Sequence, residues 1–340
     1  MPAPGSSGRR RPRLARALAA ATVALALVGP VAAEQRYVIA FANLTEEPGV
    51  TIEGTGFTGR EVRQSFVLAA RSYPVDLVFY DNADNCKRAA ANAEDAIARK
   101  VDVFIQYCHD AAANATVAAR LKSAGIRGLA VNEPMPDMPL YTIDNAAAGR
   151  VAGDALADFA TRSWAGQPLE AVIVGPMSAR GVPARAKGVQ ERLAQRLPSA
   201  RVTALDTGGN VAQVSPLLGK ALAARPGSKI LVAALDDTTA LATKSALETL
   251  GRLSDAAIVS QGLDRTIHGG MSDRKEIDPA NRGSIVLGSV AFYLDRLGYE
   301  LLPLALRMLR GEPVPARTVT PHRLVTAANV FIEYPPYDMQ

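Results

Sequence analysis

The sequence is poor in the residues that most catalytic centres use. It has two cysteines, three histidines and one tryptophan in 340 residues, and only 5% of it is aromatic. His109, His268 and His322 stand apart, with no His-x-x-x-His and no glutamate at metal-ligand spacing, so no metal centre is expected. Cys108, His109 and Asp110 are adjacent, and adjacent residues rarely converge on one ion; a loop tip accounts for them. There is no Gly-x-Ser-x-Gly turn and no cysteine–histidine pair in a nucleophile's setting. No enzyme and no cofactor is expected.

Carboxylates are missing from one stretch only. Residues 1–33 carry Arg9, Arg10, Arg11, Arg13 and Arg16 and no acid. Those five arginines account for the whole formal charge of +5, so the rest of the chain is close to neutral and no nucleic-acid partner is expected. The stretch reads as a secretory signal: an arginine-rich start, a short apolar run from Leu14 to Val28, and small residues Val31-Ala32-Ala33 before a cut at Glu34. A membrane anchor would need about 20 apolar residues, and no run in the chain is that long. No cysteine near the cut offers a lipid attachment point. The paired arginines suit the twin-arginine route as well as the general one.

The expectation is therefore a soluble protein exported to the periplasm. In that oxidising compartment Cys86 and Cys108 either form a disulfide or remain thiols at two strand ends. A bridge would close a loop of about 22 residues and contribute roughly 3 kcal/mol.

What the chain does contain is one unit used twice. Lys100 to Asn132 reads as a buried strand (Val101 to Tyr107), a polar tip, a helix (Ala111 to Ala124) and a second buried strand (Gly128 to Val131). Lys229 to Gln261 repeats the pattern, with Asp236-Asp237 at its tip. Around these units the alternation continues. Strands are expected at Tyr37–Ala42, Val75–Tyr80, Glu170–Val174, Val202–Leu205 and Ser284–Phe292. Helices are expected up to Ser72, from a cap at Asp84 or Asn85 to Arg99, and at Ala146–Ser163, Pro183–Leu197, Val211–Ala224 and Tyr299–Leu309. The tail from Arg317 to Tyr334 reads as extended. Alternation in two halves predicts an α/β protein with two lobes, each on a parallel sheet, and a hinge candidate at Asp144-Asn145.

In open parallel sheets, ligands bind where strands end and helices begin. The polar residues expected there are Asn43, Asp81, His109, Asp110, Asn132, Glu133, Asp236, Asp237, Gln261 and Asp264. Carboxylates and amides hydrogen-bond hydroxyl groups well, which suits a sugar or polyol. Singly, each is also an ordinary helix cap or turn residue. Arg180 and Arg185 stand where the second half starts its first helix, in reach of a cleft or on an exposed face. Phe57, Tyr107, Phe292 and Tyr293 are candidates either to stack on a sugar ring or to pack in the core.

Gly54-Thr55-Gly56-Phe57-Thr58-Gly59 is a literal Gly-x-Gly-x-x-Gly before a helix, and Asp81 ends the next strand. A dinucleotide site has its first glycine directly after the first strand; here about ten residues intervene after Ala42. A mobile glycine-rich loop near a cleft is the plainer reading, with a dinucleotide-dependent enzyme as the alternative.

The order of these segments resembles the periplasmic sugar-binding proteins of ABC transporters, of the ribose-binding-like type. The likeness is carried by VDVFIQYCHDAAA, YTIDNAAAGRVAG, VPARAKGVQ, ILVAALDDTTALA, GSVAFYLDRLGYELLPLALRMLRGEPVP and HRLVTAANV, and it covers essentially all of the mature chain. It implies two Rossmann-like lobes joined by three crossings: residues 34–144 with 292–322, and 145–291 with 323–340. By position it implies a polar sugar contact at Asn132, a cleft arginine at Arg185 or Arg180, an acid-or-amide contact at Asp236, and Phe292 at the second crossing. The family's late aspartate falls on Gly262, or on Asp264 with a small insertion. The family's aromatic pair after the first strand is absent, and NLTEEPGV stands there. The implied partners are a sugar or polyol and a permease in the inner membrane, with a chemoreceptor or sensor-only role as a variant and a monomer as the expected state. Repressors share the fold, but a signal segment stands where their helix-turn-helix would be.

Overall fold

The computed structural model describes residues 36–269, 275–281 and 283–334. The expected signal segment and residues 335–340 lie outside them. The chain runs through β1 (Tyr37–Asn43), α1 (Gly59–Ala70), β2 (Val75–Asp81), α2 (Ala89–Ala98), β3 (Val103–Tyr107), α3 (Ala111–Ala124), β4 (Arg127–Val131) and β5 (Leu140–Thr142). There follow α4 (Asn145–Ser163), β6 (Leu169–Gly175), α5 (Val182–Arg196), β7 (Arg201–Asp206), α6 (Val214–Leu222), β8 (Lys229–Ala234), α7 (Asp237–Thr249), β9 (Ala256–Gly262) and β10 (Val286–Ala291). The last elements are α8 (Leu297–Leu309), β11 (Arg317–Val319), β12 (Leu324–Val325) and α9 (Val330–Glu333).

Two six-stranded sheets result, ordered β11-β5-β4-β3-β1-β2 and β12-β10-β9-β8-β6-β7. Apart from the antiparallel pair of β10 with β12, the pairings within them are parallel. Each sheet is the anchor of one lobe, as the alternation predicts. The chain passes between lobes three times: after β5, after β10, and between β11 and β12. Ile39 to Ala42 and Ile230 to Ala234 have no solvent access, which is why these strands read as continuous apolar runs.

Glycine decides how closely α4 and α5 pack. A β-carbon on Gly149 would lie 2.0 Å from the Arg185 carbonyl oxygen, and one on Gly188 would lie 2.2 Å from that of Ala146. Without side chains there, the two backbones meet, and Asn145 at the start of α4 reaches Arg185 on α5.

Two expected segments differ. α2 begins at Ala89, not at a cap on Asp84 or Asn85, because Ala83, Asp84 and Cys86 all hold positive φ and keep the chain out of a helix. The Asn85 side chain instead accepts from the Lys87 N–H within that turn. The tail is not extended throughout: Val330–Glu333 makes a helical turn, with the buried Val330 packed into the second lobe.

The sulfurs of Cys86 and Cys108 are bonded, with Cα atoms 5.7 Å apart. This ties the β2–α2 turn to the end of β3. Alkylation under non-reducing conditions should add no label to the intact protein, and uptake of two labels would contradict the bridge. Replacing both cysteines by serine should cost about 3 kcal/mol of stability in denaturant titration.

Candidate functional site

A cavity of about 440 Å³ lies between the two sheets. Its walls come from the segments that follow six strands. Leu44 and Thr51 to Gly56 follow β1, Asp84 follows β2 and His109 follows β3; Pro176, Ala179 and Arg180 follow β6, Thr207 follows β7, and Asp236, Thr238 and Thr239 follow β8. These strands flank the point in each sheet where the strand order reverses, between β1 and β3 and between β6 and β8. That is where open α/β sheets leave a crevice. A hollow of similar size between α2 and α3 lies away from the strand ends, on the outer face of the first lobe.

The cavity's inner wall is the glycine-rich segment, hydrogen-bonded to itself and packed against the core. Thr51 bridges Thr58, and Ile52 N–H donates to the Phe57 carbonyl at 2.9 Å. Ile52 and Phe57 are both buried in the core. Thr58 and Glu61 form a reciprocal capping box at the start of α1. At its base, Asn43 is fully buried and donates to the Gly59 carbonyl at 2.7 Å.

Glu53 is the centre of this wall. It is only 6% exposed and holds φ 56°, a backbone region that costs a non-glycine residue about 1 kcal/mol or more. Its Oε1 accepts from Tyr107 Oη at 2.7 Å, from Asn132 Nδ2 at 2.6 Å and from His109 Nε2 at 2.8 Å. Burial works to raise its pKa, but these three donors outweigh burial and hold the carboxyl below its ordinary value. Asn132 is itself fixed, since its Oδ1 accepts from the Ile143 N–H at 3.0 Å.

Arg185 faces Glu53 from the other lobe and has no solvent access. Its five N–H groups are all used. Nη1 donates to the carbonyls of Gly54 at 2.9 Å and Leu235 at 2.6 Å; Nη2 donates to the Glu53 carbonyl at 2.8 Å and Asn145 Oδ1 at 2.9 Å; Nε donates to the same Asn145 oxygen at 3.2 Å. The guanidinium lies 4.2 Å over the Phe292 ring. Burial lowers its pKa to about 10, against the pull of Asp236, Glu53 and Asp237, so it is a cation at neutral pH.

The other expected residues fall into three groups. Arg180, His109 and Asp236 face the cavity. Arg180 also reaches across to Glu133 at 2.9 Å, and Asp236 caps α7 through the Thr239 N–H and hydroxyl, each at 2.7 Å. Burial raises the Asp236 pKa, opposed by Thr239 and Arg185. Asp110 caps α3 through the Ala113 N–H at 2.7 Å and does not line the cavity. Gln261 and Asp264 are buried beneath the wall. Among the described residues, neither end of the Gln261 amide has a hydrogen-bond partner, nor does Asp264 Oδ2, which lies against Gly56. Asp237 is fully buried, with Oδ1 accepting from Ser260 and Ser289 and Oδ2 from the Asp264 N–H; burial and the Asp264 charge push its pKa well up.

Sequence reasoning did not single out Glu53. Its signals were indirect: Thr58-x-x-Glu61 marks a helix start, and Ile52 and Phe57 are apolar residues inside a polar, glycine-rich stretch.

A profile described as periplasmic binding protein domain matches residues 49–313. The chain belongs to this family. Family members are binding proteins and not enzymes, which removes the dinucleotide-enzyme alternative. Gly54, whose added β-carbon would lie 2.5 Å from Val182 of α5, and Gly56 serve the loop's close approach to α5 and to Asp264. Solved structures share the fold. A Mycobacterium smegmatis protein in complex with β-D-fucofuranose is 22% identical, over 89% of this chain and 95% of that one, with TM-score 0.62. A Bacillus halodurans ABC transporter solute-binding protein with bound myo-inositol is 17% identical, over 88% and 96%, with TM-score 0.60. The fructose-binding periplasmic domain of a hybrid two-component system is 16% identical, over 88% and 92%, with TM-score 0.60. A search of curated protein sequences finds no match. Among the described residues, no helix is long and apolar enough to cross a membrane.

The depressed Glu53 carboxyl makes a signed prediction. A folded pKa below the ordinary 4.5 contributes stability that is fully present above that value and is lost as pH falls through the folded one. The stability advantage of wild type over Glu53→Gln should therefore shrink as pH falls below about 4.5. Denaturant titrations of both proteins across pH check this; an advantage that grows in acid would contradict it.

Proposed function

We propose that this protein is exported to the periplasm, captures a sugar or polyol in the cavity between its lobes, and delivers it to an ABC permease in the inner membrane. The observation that carries the reading is the cavity itself. Its volume of about 440 Å³ fits one small solute, and its position at six strand ends of two similarly ordered sheets is the crevice of this fold. Glu53, Asp84 and Asp236 offer carboxylates, Arg180 offers donors, and Thr51, Thr55, Thr207, Thr238 and Thr239 offer hydroxyls. That mixture can pair with both the hydrogen and the lone pairs of solute hydroxyls. No phenyl, phenol or indole ring is among the described lining residues, so recognition rests on hydrogen bonds and not on stacking. The β-D-fucofuranose and myo-inositol bound by proteins of the same fold belong to this solute class.

Asp236, Arg180 and Glu53 are the proposed contacts. Tyr107, His109, Asn132, Arg185 and Phe292 stand behind them as support, and the reading needs no cofactor and no second copy of the chain. Solute binding favours the closed lobes by as much as the solute's affinity for the two arrangements differs. The sensor domain of the same fold favours a second reading, in which the loaded protein is read by a receptor instead of a permease.

The test is a thermal-shift panel of pentoses, hexoses, inositols, alditols and amino acids. A solute at 100 times its dissociation constant should add about 2.7 kcal/mol and raise the melting temperature by several degrees. A shift with amino acids alone would overturn the solute class. Asp236→Asn keeps a good helix cap, so it should melt close to wild type while losing most of the solute-induced rise. An undiminished rise in that variant would remove Asp236 from the site.

A further inference from the structure

Five polar residues at the inner end of the cleft already have an occupant, and the occupant is the chain itself. Tyr107, His109 and Asn132 of the first lobe spend their donors on Glu53 Oε1. Arg185 of the second lobe spends two of its donors on the carbonyls of Glu53 and Gly54, and Gly56 covers Asp264. One short segment thus contacts both lobes with side chain and backbone, as a bound solute would.

We propose that the Thr51–Thr58 loop is a resident occupant of the inner cleft, which bridges the lobes in place of a solute and confines any solute to the outer cavity. Three observations support permanence. Ile52 and Phe57 root both arms of the loop in the core, and the Thr51–Thr58 bridge closes it on itself. Glu53 holds a strained backbone that only its full set of partners would maintain. Gly56 meets Asp264 so closely that an added β-carbon would lie 1.8 Å from Oδ2, a fit that suits a fixed contact and not a passing one.

The consequence is twofold and holds whichever solute the outer cavity takes. In a hinged binding protein the solute normally supplies the differential contacts that favour the closed form. Here the chain supplies them, so the solute-free protein is already closed. Glu53 also becomes a determinant of specificity: it removes three donors from the solute's reach and sets the depth of the cavity.

Small-angle X-ray scattering of the exported protein, stripped of solute by unfolding and refolding with its disulfide intact, tests this. The radius of gyration should match that of the structure described above, in which Arg185 and Arg180 reach across to the first lobe. Glu53→Ala should expand it, because without its carboxylate contacts the loop no longer holds the Glu53 and Gly54 carbonyls against Arg185 of the second lobe. Gly56→Ala offers an independent route, since its methyl pushes the loop off Asp264 while Tyr107, His109 and Asn132 are untouched; it too should expand the protein with its far-ultraviolet circular dichroism unchanged. Solute-free wild type that is as expanded as both variants would overturn the proposal, as would folded variants as compact as wild type. Silence in the thermal-shift panel with a compact solute-free protein would fail the proposed solute class and leave the loop's role standing.

Discussion

A guanidinium with no access to water is tolerable only if each of its N–H groups finds an acceptor and its charge finds an opposite. Arg185 meets that condition by drawing on both lobes: Asn145 and Leu235 from the second and the Glu53 and Gly54 carbonyls from the first accept its N–H groups, and the carboxyls of Asp236, Glu53 and Asp237 supply the opposite charge. Most of the cleft's arrangement follows from this. The glycines that let α4 and α5 touch are needed to bring Asn145 to it. The loop after β1 must present two consecutive carbonyls to it, which puts Glu53 and Gly54 at positive φ. With its backbone held there, Glu53 turns its carboxylate to Tyr107, His109 and Asn132, and the inner cleft is filled.

The first lobe's rim depends on a second constraint. The bridge between Cys86 and Cys108 joins the β2–α2 turn to the end of β3, and each cysteine stands within two residues of one in the cavity wall, Asp84 in one case and His109 in the other. A short covalent tie thus fixes the spacing of groups that β2 and β3 alone would leave to their loops. On the second lobe the same task falls to helix capping, with Asp236 pinned by Thr239 while still facing the cavity.

The fold was legible because parallel strands buried on both faces leave a plain signature: apolar runs such as Val103–Ile105 and Ile230–Ala234, each leading to a capping residue and a helical period. Asp110, Asp144 and Asp236 announce α3, α4 and α7 and do cap them. The edge on which polar residues collect was legible for the same reason, and His109, Arg180 and Asp236 do meet at one cavity. The loop was not legible. Periodicity carries no information in a segment whose conformation is set by contacts more than fifty residues away, and glycine richness fits a mobile loop and a tightly packed one equally. Nor does sequence distinguish Arg185, which is buried and fully partnered, from Arg180, which is half exposed at the cleft. The start of α2 escaped because three non-glycine residues at positive φ precede it, a conformation that side-chain preference disfavours and that the adjoining disulfide turn holds.

The most direct test is a pair of crystal structures, one grown free of solute and one with the panel member that stabilises the protein most. The account predicts closed lobes in both, with Glu53 Oε1 within hydrogen-bond distance of Tyr107, His109 and Asn132 and the solute's density in the outer cavity against Asp236 and Arg180. Solute density on the Tyr107, His109 and Asn132 donors, with the loop swung out of the cleft, would contradict it.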